Sequence, residues 1–339
     1  MRATLAELLP PAVAGGYAVP CFNVFGFDEA LACVRAAETL DAPVILATNR
    51  EMVAFTGVEQ LGAQLGRLAE DARVPVCAHL DHSDDVALIR RAVESGYSSV
   101  MYDGSQLPLA DNIAACRAVV EHAHAHGVSV EGEIGSVPYS EGRAHVRDEL
   151  TDPDEAERFA AKSGVDAVAV AVGNVHRLRE ASSTIDFERL ASIRGRVSQP
   201  LVIHGASGVA DEDRRRLAGA GIAKFNIGTS LRQSFARALR ASLASDPEQF
   251  DRLTLFAPVV DALAATAGSH LEVLGAAGRA ADQAAARTAA RTAARTAART
   301  AARAAAPAAG SGVATTDGVA GDVDGTPGAP SSRNGQPAR

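Results

Sequence analysis

The sequence predicts an α/β protein, a (β/α)8 TIM barrel, from three observations. Eight short apolar runs alternate with segments whose apolar residues recur at helical spacing. The runs are mostly continuous rather than alternating with polar residues, which is typical of strands buried on both faces. Eight such units occupy about 230 residues, close to the usual length of this kind of barrel. A doubly wound open sheet is the alternative fold.

The predicted strands and helices follow one another in a regular order along the chain. Before the first strand, residues 3–14 are predicted to form an N-terminal helix that caps the barrel floor, and residues 248–276 a last helix after the eighth unit. Asp84 and Asp85 precede an apolar helical pattern and are expected to cap that helix. The eight predicted strands are 18–24, 43–48, 74–80, 98–103, 128–134, 166–172, 200–204 and 223–228.

The composition changes sharply near residue 278, which predicts a domain boundary. Residues 1–278 would form the barrel, and residues 279–339 a low-complexity tail. The tail begins with a TAAR repeat, which is alanine-rich and able to form a helix. It ends in a Gly-, Pro- and Ser-rich stretch that cannot bury enough apolar surface to fold by itself. A helix that docks on an acidic partner is the alternative for the repeat.

Charge and composition narrow the classes of partner. The net charge is −8, which argues against nucleic acid or an anionic membrane surface as a partner. No apolar run reaches about 18 residues, so no membrane span is predicted. The N-terminus lacks the apolar core of a signal peptide. Four scattered cysteines without a CxxC pair indicate reduced thiols, and hence a cytoplasmic protein.

Three histidines follow three different predicted strands. His82, His176 and His204 lie at the carboxyl ends of strands three, six and seven, where such barrels place their chemistry. Neutral imidazoles suit zinc, and three protein ligands with one open position are typical of a catalytic zinc site. Further polar residues at the same rim are Asn23, Asp81, Asp103, Glu131, Glu133 and Asn226.

Glycine and hydroxyl residues follow strands seven and eight. The stretches HGASG and NIGTS contain Gly205, Ser207 and Thr229. Barrels of this class often bind phosphate at these two turns, through backbone N–H groups and a helix N-terminus. The position of the two stretches therefore predicts a phosphate-binding site.

Taken together, these motifs resemble those of one known family. HLDH, YDGS, EGEIG, HGASG and FNIGT, with a glycine-containing turn before His176, are similar to the class II, zinc-dependent ketose-bisphosphate aldolases. This family includes fructose-1,6-bisphosphate and tagatose-1,6-bisphosphate aldolases, and the resemblance spans about residues 3–276. It implies cleavage of a ketose phosphate through the enediolate of dihydroxyacetone phosphate, and a homo-oligomer, either a dimer or a tetramer.

The resemblance also implies a role for each matching residue. Asp81 would transfer the proton at the aldehyde-derived hydroxyl, and Asn226 would contact the enediolate. His82, His176 and His204 would hold zinc, while Asp103 and Glu133 would hold its alternative position, a second metal or a monovalent cation. Asn23 and Arg177 are further candidates for substrate binding. The residues implied to bind dihydroxyacetone phosphate are Gly205, Ala206, Ser207, Asn226, Ile227, Gly228 and Thr229.

Three departures from the family pattern bear on the substrate. Arg177 replaces the glycine that commonly follows the second zinc histidine. The loop after strand five lacks the usual acidic stretch, so Glu141 is the nearest candidate acid, with Tyr139 and His145 as possible helpers. Strand two ends in ATNR rather than in a turn containing serine and glycine. These departures predict that the aldehyde acceptor, or even the donor, differs from the glycolytic substrates.

Three other functions are compatible with the sequence. A Schiff-base aldolase would need a barrel lysine, for which Lys224 is the one plausible residue. A metal-dependent sugar-phosphate isomerase or epimerase could use the same histidines. A non-catalytic partner subunit is the third alternative. His79 is predicted to be a hydrogen-bonded support residue.

Overall fold

The computed structural model describes residues 1–138, 150–283 and 288, and they form a closed barrel of eight parallel strands. Each strand pairs with the next along the chain, and β8 closes the ring by pairing with β1. The predicted (β/α)8 barrel is therefore confirmed, and the open sheet is excluded. The strands are β1 Val19–Asn23, β2 Val44–Thr48, β3 Val76–Ser83, β4 Ser99–Tyr102, β5 Ser129–Ile134, β6 Ala167–Val170, β7 Leu201–Ile203 and β8 Ile222–Ile227.

Helices surround the strands, as their periodicity predicts. Both faces of the strands are buried, which accounts for their continuous apolar sequences. No helix among the described residues is long and apolar enough to span a bilayer. The helices are α1 Leu5–Gly15, α2 Phe27–Thr39, α3 Arg50–Thr56, α4 Val58–Asp71, α5 Val86–Ser95, α6 Leu109–Ala125, α7 Pro153–Ser163, α8 Phe187–Arg194, α9 Asp211–Gly219, α10 Thr229–Ser245 and α11 Arg252–Val273.

The N-terminal helix α1 covers the floor of the barrel. Thr4 caps it in a reciprocal capping box with Glu7. The backbone N–H of Leu5 donates to the hydroxyl of Ser129, the first residue of β5, at 2.8 Å. This contact places α1 at the amino ends of the strands, so the opposite, carboxyl ends are left for a functional site.

The described chain continues past residue 278. The side-chain amide of Gln283 donates to the carbonyl of Leu8 and to the hydroxyl of Tyr17, which ties it to the floor helix. These residues lie in the compact unit Met1–Ala294. The second unit, Arg295–Arg339, lies outside the described residues, so the predicted low-complexity tail stays a prediction.

Candidate active site

A cavity of about 680 Å³ opens at the carboxyl ends of the strands. His204 is fully buried beside it, while Ala206 and Ile227 have fully buried side chains, so they could contact a ligand through backbone atoms. Glu141, Tyr139 and His145 lie outside the described residues. The cavity is lined by most of the predicted site residues, namely Asn23, Asp81, His82, Asp103, Glu133, His176, Arg177, Gly205, Ser207, Asn226, Gly228 and Thr229.

The three histidines meet in one cluster. The ring centroids of His82 and His204 are 4.5 Å apart, and those of His82 and His176 are 5.2 Å apart. One ligand atom from each of the three side chains lies within 4.8 Å of the others. Side chains from β3 and from the loops after β6 and β7 are thus brought close enough to share one metal ion.

A bulge in β3 allows two consecutive residues to serve the site. Successive side chains of a regular strand point to opposite faces, so Asp81 and His82 would normally diverge. The pairing of β3 with β4 shifts register between Leu80 and Ser83, and His82 has a left-handed backbone with φ of 46°. Both Asp81 and His82 line the cavity as a result.

A buried ion pair fixes the orientation of His204. The ammonium of Lys224 lies 2.8 Å from the carboxylate of Glu131, whose pKa falls to about 2 because this charge outweighs the effect of burial. The ionised Glu131 accepts a hydrogen bond from Nε2 of His204 at 2.8 Å. Nδ1 of His204 therefore presents its lone pair, toward Nε2 of His82 at 2.7 Å, as a metal ligand would.

Lys224 itself is unsuited to be a nucleophile. Its ammonium also donates to the side-chain oxygen of Asn226 at 2.6 Å, and the residue is fully buried. Burial by itself would lower the pKa of Lys224, but Cys21 and Glu131 outweigh it and raise that pKa above the ordinary value. A protonated lysine cannot attack a carbonyl, which argues against the Schiff-base alternative.

Two amides hold the carboxylate of Asp81. The side-chain N–H₂ of Asn23 donates to one oxygen at 2.7 Å, and that of Asn226 donates to the other at 2.8 Å. Burial by itself would raise the pKa of Asp81, but the neighbouring positive charges, that of His82 first, outweigh it and lower that pKa below the ordinary value. Asp81 is thus an ionised, oriented base beside the histidine cluster.

The acids around His82 make the cluster a favourable place for positive charge. Asp103 accepts a hydrogen bond from Nδ1 of His82 at 2.8 Å. Burial and the neighbouring Asp103 raise the pKa of Glu133 to about 8. One buried oxygen of Glu133, Oε2, has no hydrogen-bond partner within the described residues and lies 3.8 Å from Nδ1 of His82. This donor set of imidazoles and carboxylates fits a divalent metal ion.

The predicted phosphate turn packs tightly against the loop that carries His176. Gly205 has φ of 68°, and a Cβ built on it would lie 2.3 Å from the carbonyl oxygen of Val175. Only glycine fits this position, and it brings the two loops into contact. The hydroxyl of Ser207 accepts a weak hydrogen bond from the backbone N–H of Ser230 at 3.4 Å, which leaves its own proton to be donated.

A buried hydrogen-bond chain supports this turn from behind. The guanidinium of Arg214 donates to the carbonyl of Ala206 at 3.0 Å and to Nδ1 of His270 at 3.1 Å. Because arginine can only donate, Nδ1 of His270 must accept, and its Nε2–H donates to the hydroxyl of Ser230 at 2.9 Å. Burial and the adjacent Arg214 lower the pKa of His270 to about 4, so the ring is neutral.

Two exposed ion pairs lie at the mouth of the cavity. A guanidinium nitrogen of Arg177 lies 2.6 Å from the carboxylate of Glu51, at the start of α3. Arg50 lies 3.1 Å from Asp84 in the same way. Arg177, one departure from the family pattern, thus contacts Glu51, the residue that directly follows the ATNR stretch.

The structure also tests the smaller predictions. His79 is fully buried and its Nδ1 lies 2.9 Å from the hydroxyl of Ser99, as expected of a support residue. Asp85 caps α5 by accepting from two backbone N–H groups, whereas Asp84 pairs with Arg50 instead. The supporting roles of Arg214 and His270 were not predicted, because a histidine within a helix gives no signal of its own in the sequence.

Comparison with known proteins agrees with the geometry. Residues 3–279 match the family model for class II fructose-bisphosphate aldolase. The crystal structure of the YdjI aldolase from Escherichia coli K12 is similar, with 31% identity, a TM-score of 0.72, and coverage of 83% of this chain and 100% of that one. Fructose-bisphosphate aldolase from Campylobacter jejuni shares the fold at 22% identity and a TM-score of 0.70, over 81% of this chain and 96% of that one. The chain therefore belongs to the class II fructose-bisphosphate aldolase family and is a carbon–carbon lyase.

Proposed function

We propose that this enzyme is a zinc-dependent aldolase that cleaves and forms a ketose phosphate, with dihydroxyacetone phosphate as the three-carbon product. The observation that carries the proposal is the carboxylate of Asp81, held by two amides beside the histidine cluster. His82, His176 and His204 would hold the zinc ion. When bound, zinc would act as a Lewis acid toward the ketose carbonyl.

The residues of the chain account for the proton transfers of cleavage. Asp81 takes the proton from the hydroxyl on the carbon that becomes the aldehyde, and the neighbouring carbon–carbon bond then breaks. The electron pair of that bond stays on the three-carbon fragment as an enediolate, which the N–H₂ group of Asn226, beside Asp81, would stabilise. Glu141, outside the described residues, is our candidate for returning a proton to that carbon.

The turns after β7 and β8 would hold the phosphate of the three-carbon fragment. Gly205, Ser207 and Thr229 line this side of the cavity, and Arg232 supplies a positive charge one turn into α10. Hydroxyls, backbone N–H groups and an arginine are the usual ligands of a phosphate. Asp103 and Glu133 would hold a second metal position.

The four cysteines are all free and buried, which supports a location in a reducing compartment such as the cytoplasm. Family membership also leads us to propose a homo-oligomer, a dimer or a tetramer.

The first experiment measures release of dihydroxyacetone phosphate from fructose and tagatose phosphates, with a chelator and after return of zinc. We expect activity that a chelator abolishes and zinc restores, with about one zinc ion per catalytic site by metal analysis. Conversion of the ketose phosphate to an isomer without release of dihydroxyacetone phosphate would instead identify an isomerase or epimerase. No turnover and no hydrogen exchange at dihydroxyacetone phosphate would identify a non-catalytic subunit.

A further inference from the structure

The ion pair between Glu51 and Arg177 spans the mouth of the barrel. Glu51 follows β2 and Arg177 follows β6, and these two strands are four positions apart in a ring of eight. They therefore stand on opposite sides of the barrel, and the 2.6 Å contact joins the two sides. The pair divides the mouth into two halves, one beside β7, β8 and β1, and the other beside β3, β4 and β5.

The backbone at Arg177 shows that this contact has a cost. Its φ is 62°, one of three left-handed non-glycine residues in the described chain. Such a conformation is uncommon and energetically unfavourable for a residue with a side chain. A glycine would adopt it freely but could not reach Glu51. The strained backbone of Arg177 thus accompanies a contact that only a long side chain can make.

The two halves of the mouth differ in charge. The half beside β7 and β8 contains the phosphate turns and Arg232. Among the described residues that line the half beside β3, β4 and β5 there is no lysine or arginine, whereas Asp84 and Asp103 are present. Arg50, at the border of this half, lies 3.1 Å from Asp84 and is neutralised by it. Since Arg50 and Asp84 offset each other, a second phosphate placed there would meet no other arginine or lysine among these described residues and would lie near the carboxylate of Asp103.

From this asymmetry we infer that the enzyme acts on ketose 1-phosphates and condenses dihydroxyacetone phosphate with an unphosphorylated polyhydroxy aldehyde. Glu51 and Arg177 are the specificity-determining residues, because Glu51 neutralises the cation nearest the aldehyde and repels a terminal phosphate. Hydroxyl groups of a neutral aldehyde can bond to both partners of the pair without separating them. This inference rests on the proposed function and narrows its substrate class.

The test compares two acceptors in the synthetic direction with the zinc-loaded enzyme. Racemic glyceraldehyde and racemic glyceraldehyde 3-phosphate are each supplied with dihydroxyacetone phosphate, so that the unknown stereochemistry does not decide the result. We expect kcat/KM for glyceraldehyde to exceed that for its phosphate by roughly tenfold or more, the size expected for one like-charge contact at a protein surface. A preference for the phosphorylated acceptor would overturn the inference and direct attention to residues 139–149.

The variant Glu51→Gln tests whether the ion pair between Glu51 and Arg177 determines the selectivity between the two aldehydes. It keeps the shape of the side chain, removes the negative charge and breaks the ion pair between residue 51 and Arg177. The ratio of kcat/KM for glyceraldehyde to kcat/KM for glyceraldehyde 3-phosphate should fall by about tenfold. The matched control is Glu59→Gln, which removes a similarly exposed carboxylate lying 2.7 Å from Arg91, away from the cavity, and should leave the ratio unchanged. An unchanged ratio in Glu51→Gln would overturn the assignment.

Failure of this inference and failure of the proposed function give different results. Hydrogen exchange at dihydroxyacetone phosphate, followed by NMR without any aldehyde, reports the donor half of the reaction alone. If hydrogen exchange occurs and the enzyme prefers the phosphorylated acceptor, the inference is overturned but the proposed zinc aldolase activity stands. The same conclusion follows if exchange occurs and neither acceptor is used. Absence of exchange overturns the proposed function, and the inference with it.

Discussion

The two sides of the cavity, the phosphate turn and the mouth, differ in how deeply their charged side chains are buried. Behind the phosphate turn, Arg214 and His270 are almost fully buried, and each hydrogen bond fixes the direction of the next. At the mouth, Arg50 and Asp84 are more than half exposed and form an isolated ion pair. Buried polar groups must be satisfied, so they determine one geometry, while exposed pairs can exchange with water and ligand. The buried side should therefore determine the catalytic efficiency of the enzyme. The exposed side should determine which aldehyde it uses.

The largest expected effect comes from the deepest group, Asp81. Asp81→Asn keeps the size of the side chain but removes the base that takes the hydroxyl proton. We expect kcat for cleavage to fall by about a thousandfold, within the range usual for loss of a general base. Steady-state cleavage assays, with zinc content measured in parallel, check this. A loss of less than about tenfold at full zinc occupancy would show that another group is the base.

The next effect concerns the buried pair that orients His204. In Glu131→Gln, the Nε2–H of His204 meets a neutral amide in place of a charged carboxylate acceptor, and Lys224 loses its counter-charge. We expect zinc affinity to fall by about 10- to 100-fold. The free energy of unfolding should fall by about 3 kcal/mol, because a buried ammonium is left unpaired. Competition with a chelator measures the first quantity, and urea denaturation the second.

The double variant Glu131→Gln with Lys224→Met separates these two losses. It removes both buried charges, so most of the lost stability should return. Zinc affinity should stay low, because His204 still lacks its carboxylate acceptor. Recovery of zinc affinity in the double variant would contradict the role assigned to Glu131.

The sequence predicts those parts of the molecule that depend on local pattern. Strands buried on both faces have continuous apolar sequences, so every end of the eight strands is predicted to within three residues. The ends of parallel strands meet at one rim, and this places His82, His176 and His204 together. The bulge at His82 was not predicted, since a left-handed histidine has no sequence signature.

Contacts between distant elements account for the remaining features. Arg214 and His270 are 56 positions apart, and Glu51 and Arg177 are 126 apart. Each residue alone is ordinary on a helix or in a loop, and only the closed ring brings the partners together. The sequence could show that Arg177 and the ATNR turn were unusual, but not that Arg177 contacts Glu51, the residue after that turn.

A smaller effect is expected from the buried chain behind the phosphate turn. His270→Leu fills the space but breaks the path from Arg214 to Ser230. We expect KM for the ketose phosphate and the inhibition constant of inorganic phosphate to rise together by about tenfold, the value of one or two hydrogen bonds. The kcat value should stay within about twofold, because the groups that touch the reacting carbons are unchanged.

The conservative variant His270→Gln distinguishes positioning from general loss of structure. Its amide can accept from Arg214 and donate to Ser230, so it should restore most of the phosphate affinity. A parallel fall in kcat and in melting temperature for His270→Leu, without rescue by glutamine, would show that His270 only supports packing.

The smallest effect is expected at the exposed pair of Arg50 and Asp84. Asp84→Asn removes one charge of a pair in which both side chains are well solvated. The free energy of unfolding should change by less than about 0.5 kcal/mol, and kcat with a neutral aldehyde should stay within about twofold. Since Asp84 is only three residues from Asp81, this variant is also the neighbouring control for Asp81→Asn. A large loss of stability would mean that this exposed pair fixes the loop as firmly as the buried chain fixes the phosphate turn, and the contrast between the two sides would no longer hold.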